Sequence, residues 1–506
     1  MKTKFILWLD SELLTFAIAY YLKKTYDCEL YAIIDITNGP KTFFEKQNLV
    51  KFEKTWFYFD HVHPQNSKPD YEYLKNIEKK FEVNLWNLAI NERIFYHYNK
   101  FYKFSSNEMS SIITQECQLF EKIIDEVKPD FFITKETIQH KDHLFYKMCK
   151  QSGVVPLVCY ESIIGYKCII SQKEHTIDSI NDLPQKENRY HSFEELQNYF
   201  KNFNKSMQVI EFRDKYMSSG IDRLKAATKF LLSSNGNDNT KTHYTYFGRS
   251  KLRVLISELQ SIRKRNSREK FINNNLDRTI QKNEKFLYFP LHIEQERSLL
   301  IAAPYYTNQI EIIRSIAKSL PIDYKLYVKE HPSQANRNWR SISDYKEIMN
   351  IPNVRLFHPS FPSVELYKKC STIITIGGGS GFEASLYGKP TILFGDMGYS
   401  IMPSVIKVKD FETLSDTIRE TLPKKVDPLD VDRYISLLEE NSIDFDWSGM
   451  SMKILNRFFY GGYLADVDIS VDKMKIFLED YKTEFEKLIS GFLSKVKQFE
   501  KELQHE

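Results

Sequence analysis

The sequence predicts an α/β fold of two doubly wound halves, with a helical connector between them and a long C-terminal helix. Three observations carry the prediction. Short apolar runs alternate with amphipathic stretches over the first 170 residues; the same rhythm restarts at residue 285 after a polar interval; and a glycine-rich turn joins a strand to a helix at 377–381. Strands that are apolar on both faces and separated by helices imply a parallel sheet covered on both sides.

In the first half, strands are read at 4–9 (KFILWL), 29–36 (ELYAIIDI), 55–59 (TWFYF), 130–134 (DFFIT) and 154–160 (VVPLVCY). Helical spacing fills 11–24, 107–127 and 140–151. Residues 172–280 are polar and rich in Asn and Lys, with helical spacing near 206–232 and a basic stretch, SIRKRNSREK, at 261–270. The second half offers strands at 285–291, 324–332, 353–359, 371–376 and 390–395, and helices at 306–319 and from about 381. Two Rossmann-like domains facing a cleft follow from this order. The expected divisions are 1–171 for an acceptor domain, 172–280 for the connector, 281–425 for a nucleotide-binding domain and 426–506 for a helical extension. In that extension Met474, Phe477, Tyr481, Phe485, Leu488, Phe492, Val496, Phe499 and Leu503 recur every three or four residues, marking one apolar helix face. Packing on its own domain, on a second copy or on a membrane surface would each bury that face.

The charge balance, 71 basic against 67 acidic residues, leaves a net +4 and no electrostatic footprint of a nucleic-acid binder. After Lys4 only five apolar residues precede Asp10, too few for a signal-peptide core, and no apolar run is long enough to span a bilayer. Six scattered cysteines without a CxxC pair suit reduced thiols. A cytoplasmic protein is expected, with peripheral contact at the inner face of the plasma membrane as an option.

The chemistry concentrates in TIITIGGGSGFEASLYGKPTILFG, residues 372–395. Glycines permit a tight strand-to-helix turn and leave amides unobstructed, and a helix start presents free N–H groups, so this turn is a candidate phosphate seat. Its spacing is neither a dinucleotide fingerprint nor a Walker loop. Ser380 is placed as N-cap, and Glu383 as either the far half of a capping box or an acceptor for ribose hydroxyls. At a second strand end, Lys329, Glu330, His331 and Pro332 point to the same sheet edge, where an imidazolium could stabilise charge on a departing phosphate. A third, FPLHIEQE, brings His292, Gln295 and Glu296.

These motifs, in this order over residues 285–400, resemble the C-terminal half of bacterial capsule and surface-polysaccharide biosynthesis proteins, including the Kdo transferases of GT-B architecture. The resemblance implies a glycosyltransferase that grips the nucleotide of an activated sugar, commonly a CMP-sugar such as CMP-Kdo, without a tightly held cofactor or metal. Carried over to this sequence, the resemblance implies His331, Pro332, Gly379, Ser380 and Glu383; the same strand ends and turn add His292, Lys329, Gly378 and Gly381 to the expected binding set, with His331 read as catalytic. The His-Pro and glycine-turn pair is also similar to sialyltransferases and to CDP-glycerol polymerases, and a nucleotide-sugar epimerase or a non-catalytic scaffold are further readings. The partners implied are a nucleotide-sugar donor and a glycan or lipid-linked acceptor.

On the acceptor side, strand-end acids Asp10, Glu12, Glu136 and Glu161 are candidates for a general base, Asp10 and Glu161 foremost. Asp10 and Ser11 also have a plain role as caps of the next helix. His61 and His63 form an HxH pair, but no further metal ligand can be assigned by spacing, so a polar loop is expected there.

Overall fold

The computed structural model describes residues 2–63, 68–178, 180–201, 228, 235–336 and 340–505. The predicted helical spacing at 206–232 falls almost wholly outside them. The chain forms two compact units, each built on its own sheet.

The first unit comprises Met1–Asp178, Phe203–Val254 and Asn441–Glu506. Its strands are β1 (Thr3–Asp10), β2 (Cys28–Asp35), β3 (Lys54–Phe57), β4 (Phe131–Lys135), β5 (Val155–Glu161) and β6 (Cys168–Ser171). Together with a late strand, β13 (Ser442–Ile443), they run in the order β13-β6-β5-β4-β1-β2-β3. β3, β2, β1, β4 and β5 are parallel, whereas β6 pairs antiparallel with β5 and β13 antiparallel with β6. Both faces of β1 are buried: Phe5, Leu7 and Leu9 enter one core and Ile6 and Trp8 another. That two-sided burial is why its sequence is a continuous apolar run.

The second unit comprises Ser179–Asn202 and Leu255–Glu440. Its sheet contains β7 (Lys285–Pro290), β8 (Tyr324–Lys329), β9 (Val354–Phe357), β10 (Thr372–Thr375), β11 (Thr391–Leu393) and β12 (Val405–Lys407), ordered β12-β11-β10-β7-β8-β9 and parallel throughout. In this unit β10, β7 and β8 lie side by side, so the residues just after them share one carboxyl edge.

Two expectations are redrawn. The connector is divided: Phe203–Val254 cluster with the first unit, and Leu255 onward with the second. The C-terminal extension is divided as well, at Glu440/Asn441. The tail breaks at Tyr481 into helices Val471–Asp480 and Lys482–His505. Its stripe of Phe485, Leu488, Phe492, Val496 and Phe499 is buried in the first core with Phe16, Tyr21 and Leu22. Tyr21 stacks on Phe485 at 5.7 Å and donates a hydrogen bond of 2.5 Å to the Leu478 carbonyl. The apolar face up to Phe499 is thus consumed inside its own unit, and Leu503 lies outside the residues whose burial is described. All six cysteines are buried and free.

Candidate functional site

In the second unit the chain leaves β10 through Gly377, Gly378 and Gly379 and enters a short helix, Ser380–Ser385. Gly378 has φ +92°, a conformation a side chain would strain. The loop's carbonyls are occupied: Gly377 accepts from Thr375 Oγ1 at 3.1 Å and Gly378 from Tyr399 Oη at 2.8 Å. Its donors are not. Among the described residues no acceptor meets the N–H groups of Gly378, Gly379 or Ser380. A loop with satisfied acceptors and unspent donors has the polarity that suits an anion.

The imidazole in contact with this loop is His292, after β7. Its Nε2 lies against the Gly377 carbonyl, and burial pushes its basicity below the ordinary histidine value. A hydrogen-bonded frame fixes it. Gln309 Oε1 accepts the His292 N–H at 2.7 Å, while Gln309 Nε2 and Arg340 Nη2 donate to the His292 carbonyl at 3.0 and 2.6 Å. Arg340 is itself held by Glu330 at 2.9 Å and Glu294 at 2.5 Å, and Tyr345 Oη donates to Glu330 at 2.8 Å. Glu330 and Arg340 are buried, so each charge needs the other. The pair ties the end of β8 to the end of β7.

His331 stands exposed at the tip beyond Glu330, and its Nδ1 accepts the Ser333 N–H at 3.2 Å. In the neutral ring this leaves the proton on Nε2, as a donor. Pro332 opens the short turn Pro332–Asn336.

Lys329 and Glu383 form the most loaded part of the edge. Lys329 is 3% exposed and, among the described residues, donates to Ser363 Oγ alone, at 2.7 Å; burial lowers its pKa to about 8. Glu383 accepts from Tyr367 Oη at 3.1 Å, and burial raises its pKa against the opposing pull of that bond and of Lys329. Each charge feels the other, yet no ion pair within 4 Å joins them. An ammonium and a carboxylate with one hydroxyl partner apiece among the described residues have bonding capacity left for a third party.

The local geometry settles some dual readings. Gly379, not Ser380, occupies the N-cap position, and no side chain caps the helix. Ser380 begins the helix and its Oγ reaches Thr375 Oγ1 at 3.4 Å. Glu383 turns to Tyr367, so the capping-box role falls away. Gly381 serves packing: a Cβ there would sit 2.6 Å from Tyr399 Oη and 2.8 Å from Thr391 Cγ2. Tyr367, Ser363 and Arg340 lie outside the motifs read from sequence, whereas Glu330, inside KEHP, and Glu294, inside FPLHIEQE, lie within them.

In the first unit the strand-end acids are engaged. Asp10 accepts the Glu12 N–H at 3.0 Å and pairs with Lys135 at 2.7 Å; Lys135 also holds Glu12 at 2.6 Å. Helix Leu14–Thr25 starts after Leu13, so Ser11 does not cap it. Glu136 pairs with His175 at 2.7 Å. Glu161 accepts the Ser448 N–H at 3.1 Å, at the start of helix Trp447–Phe458. His63 Nε2 lies 3.1 Å from the Asp60 carbonyl, and among the described residues no group of three His, Cys, Asp or Glu is arranged to hold a metal ion.

The same unit contains a buried cluster that no motif announced. His140 sits between two carboxylates, Nδ1 2.8 Å from Glu92 and Nε2 2.9 Å from Glu116. Tyr58 Oη donates to Glu116 and lies 2.8 Å from Tyr244 Oη. Burial alone would discharge His140; the Glu116 charge and the bonds to both carboxylates outweigh it and raise its pKa to about 10. Burial likewise pushes Glu92 up, but the bonds and charge of His140 hold it down at about 2.

Residues 197–403 match the family model described as "Capsule polysaccharide biosynthesis protein". That span includes every residue of the second unit's strand-end site and bears out the resemblance seen over 285–400. A comparison with curated proteins finds no significant match. Among solved structures, the chain is similar to a β-Kdo 2,7 transferase, KpsC of Thermosulfurimonas dismutans, at 11% identity over 81% of this chain and 96% of that one, TM-score 0.30. It is also similar to the UDP-GlcNAc 2-epimerase of Methanocaldococcus jannaschii in complex with UDP-GlcNAc and UDP, at 13% identity over 87% and 100%, TM-score 0.26. The epimerase of Neisseria meningitidis bound to UDP-GlcNAc follows at 10% identity over 86% and 99%, TM-score 0.22.

Proposed function

We propose that the chain is a glycosyltransferase of surface-polysaccharide assembly, moving a sugar from a nucleotide-activated donor to a glycan or lipid-linked acceptor, with a CMP-sugar such as CMP-Kdo as donor. The observation that carries the proposal is the loop Gly377–Ser380, in which the Gly377 and Gly378 carbonyls are spent while the Gly378, Gly379 and Ser380 amides meet no acceptor among the described residues, beside the buried Lys329 and the half-buried Glu383. The family match over 197–403 supports the same reading.

In this reading the loop amides receive a phosphate of the donor, and Glu383 accepts from the ribose hydroxyls. Lys329 adds positive charge, and His331 donates from Nε2 to the phosphate oxygen that departs. The bond between the anomeric carbon and that oxygen breaks, the acceptor oxygen bonds to the same carbon, and the acceptor proton passes to a carboxylate. Asp10 and Glu161 are the first unit's candidates for it. Their present partners, an ammonium and an amide, also give each a supporting role. Donor groups aimed at developing charge would do most of the work, because they need no reorganisation during the step.

Calorimetric titration with CMP, CDP, UDP and GDP, followed by mass spectrometry of products formed from the preferred donor, tests this. CMP should bind. Glu383→Gln should weaken binding about tenfold or more, the cost of a hydrogen bond to a charged group. Affinity should fall as pH rises through about 8, where Lys329 loses its proton. A glycosidic bond in the product supports the proposal. A phosphodiester or a free epimerised sugar replaces it with a glycerophosphotransferase or an epimerase, and absence of nucleotide binding leaves a scaffold.

A further inference from the structure

A second feature belongs to neither the strand-end site nor the folded tail. Helix Lys251–Asn275 is 25 residues long; its first turn, to Val254, clusters with the first unit, and at its C-terminal end Ile272 and, just past the helix, Leu276 enter the second unit's core. Toward its N-terminus it carries Leu252, Leu255, Ile256, Leu259 and Ile262, at 68, 40, 46, 63 and 46% exposure. Their spacing of three, one, three and three residues places them on one face, a stripe about 120° wide at 3.6 residues per turn. Single exposed aliphatic residues are ordinary, but five in three turns on one face are not.

The same helix is the most basic part of the protein. It has seven Lys and Arg against Glu258 and Glu269, a net +5. The whole chain is net +4, so everything outside this helix is net −1. Arg263, Lys264, Arg265 and Arg268 follow the stripe directly. A continuous apolar stripe joined to a cationic cluster on an exposed helix is the chemistry of a surface anchor: side chains enter the acyl boundary while cations sit among anionic headgroups. A nucleic acid would use the cations and leave the leucines in water. A second copy would cover the leucines while bringing another +5 to the same place.

We propose that helix 251–275 lies on an anionic lipid surface, with Leu252, Leu255, Ile256, Leu259 and Ile262 toward the acyl chains. This surface contact does not depend on the sugar-transfer reading. It also moves the expected membrane contact from the tail, whose stripe is buried, to the connector. None of the described helices is long and apolar enough to cross a membrane, so the contact is peripheral.

Co-sedimentation of the full chain with phosphatidylcholine vesicles, and with equal parts phosphatidylcholine and phosphatidylglycerol, tests the proposal. The chain should partition onto the anionic vesicles only, and less as salt is raised. The variant R263Q/K264Q/R265Q/R268Q should bind at least about a hundredfold more weakly, since each basic side chain near such a surface contributes roughly fivefold. Leu255→Gln with Leu259→Gln should also lose binding while the far-UV spectrum and nucleotide affinity stay unchanged, because both side chains are exposed. Equal partition of all three proteins, or none by the wild type, overturns the proposal. So does a halving of the solution mass in the Leu255/Leu259 variant, which would assign the stripe to a second copy, or retention of the wild type by duplex DNA in preference to anionic vesicles.

Discussion

At the scale of single residues, the first unit's most demanding group is His140, closed between Glu92 and Glu116. The protonated imidazole is the cation that faces both buried carboxylates, and removing it would leave a buried charge uncompensated. The folded state therefore holds a proton that the unfolded chain releases near the ordinary histidine value of 6.5. Its stabilisation is complete below pH 6.5 and is lost as pH rises toward about 10, with a slope of up to about 1.4 kcal/mol per pH unit. Trp8 and Trp56 lie in the adjoining core and report unfolding of this unit. Denaturant titrations followed by tryptophan fluorescence at pH 6, 8 and 9.5 should show falling stability for the wild type. His140→Gln should be about 3–5 kcal/mol less stable at pH 6, with a flatter profile above it. Parallel profiles for the two proteins would refute the charged clamp. The cluster was invisible in the sequence for a physical reason: its members are 24 and 48 residues apart, share no local spacing, and meet only when three separate elements pack. Lys329, His331 and Glu383 were legible because strand-end and glycine-turn chemistry are local.

At the scale of elements, the strands that could be read from sequence are those buried on both faces, where an apolar run and a fold position are the same fact. β6, β12 and β13 were missed: they have four, three and two residues and owe their form to neighbours already in place. Helix Lys251–Asn275 escaped for the opposite reason, since its polar sequence has no wide buried face to announce it. The glycine loop shows how one motif divides its labour. Gly378 is required by its φ of +92° and Gly381 by its approach to β11, while a Cβ at Gly379 would meet only Glu383 Oε1 at 3.9 Å. Gly381→Ala should therefore cost the second unit about 1–3 kcal/mol through overpacking, and Gly379→Ala much less. Thermal melts of the two variants decide it. Equal losses would mean that the loop responds to lost flexibility instead of to contact with Tyr399 and Thr391.

At the scale of the whole molecule, the tail joins the ends of the sequence into one unit. Helix Lys482–His505 closes the core that begins at Phe5, so the first unit is complete only after the chain has passed through the second. Each unit has its own apolar core, and each should give its own unfolding transition in calorimetry. Phe492 is fully buried against the first core. Phe492→Ala should weaken that unit by about 3–5 kcal/mol and lower its transition. The second unit's transition should stay in place and should rise when the preferred nucleotide is added, by about 2.7 kcal/mol at a hundred times the dissociation constant. The two perturbations thus assign the two transitions independently. If Phe492→Ala and the nucleotide moved one common transition, the units would be a single cooperative body, and the tail would be stabilising the nucleotide site as well as its own sheet.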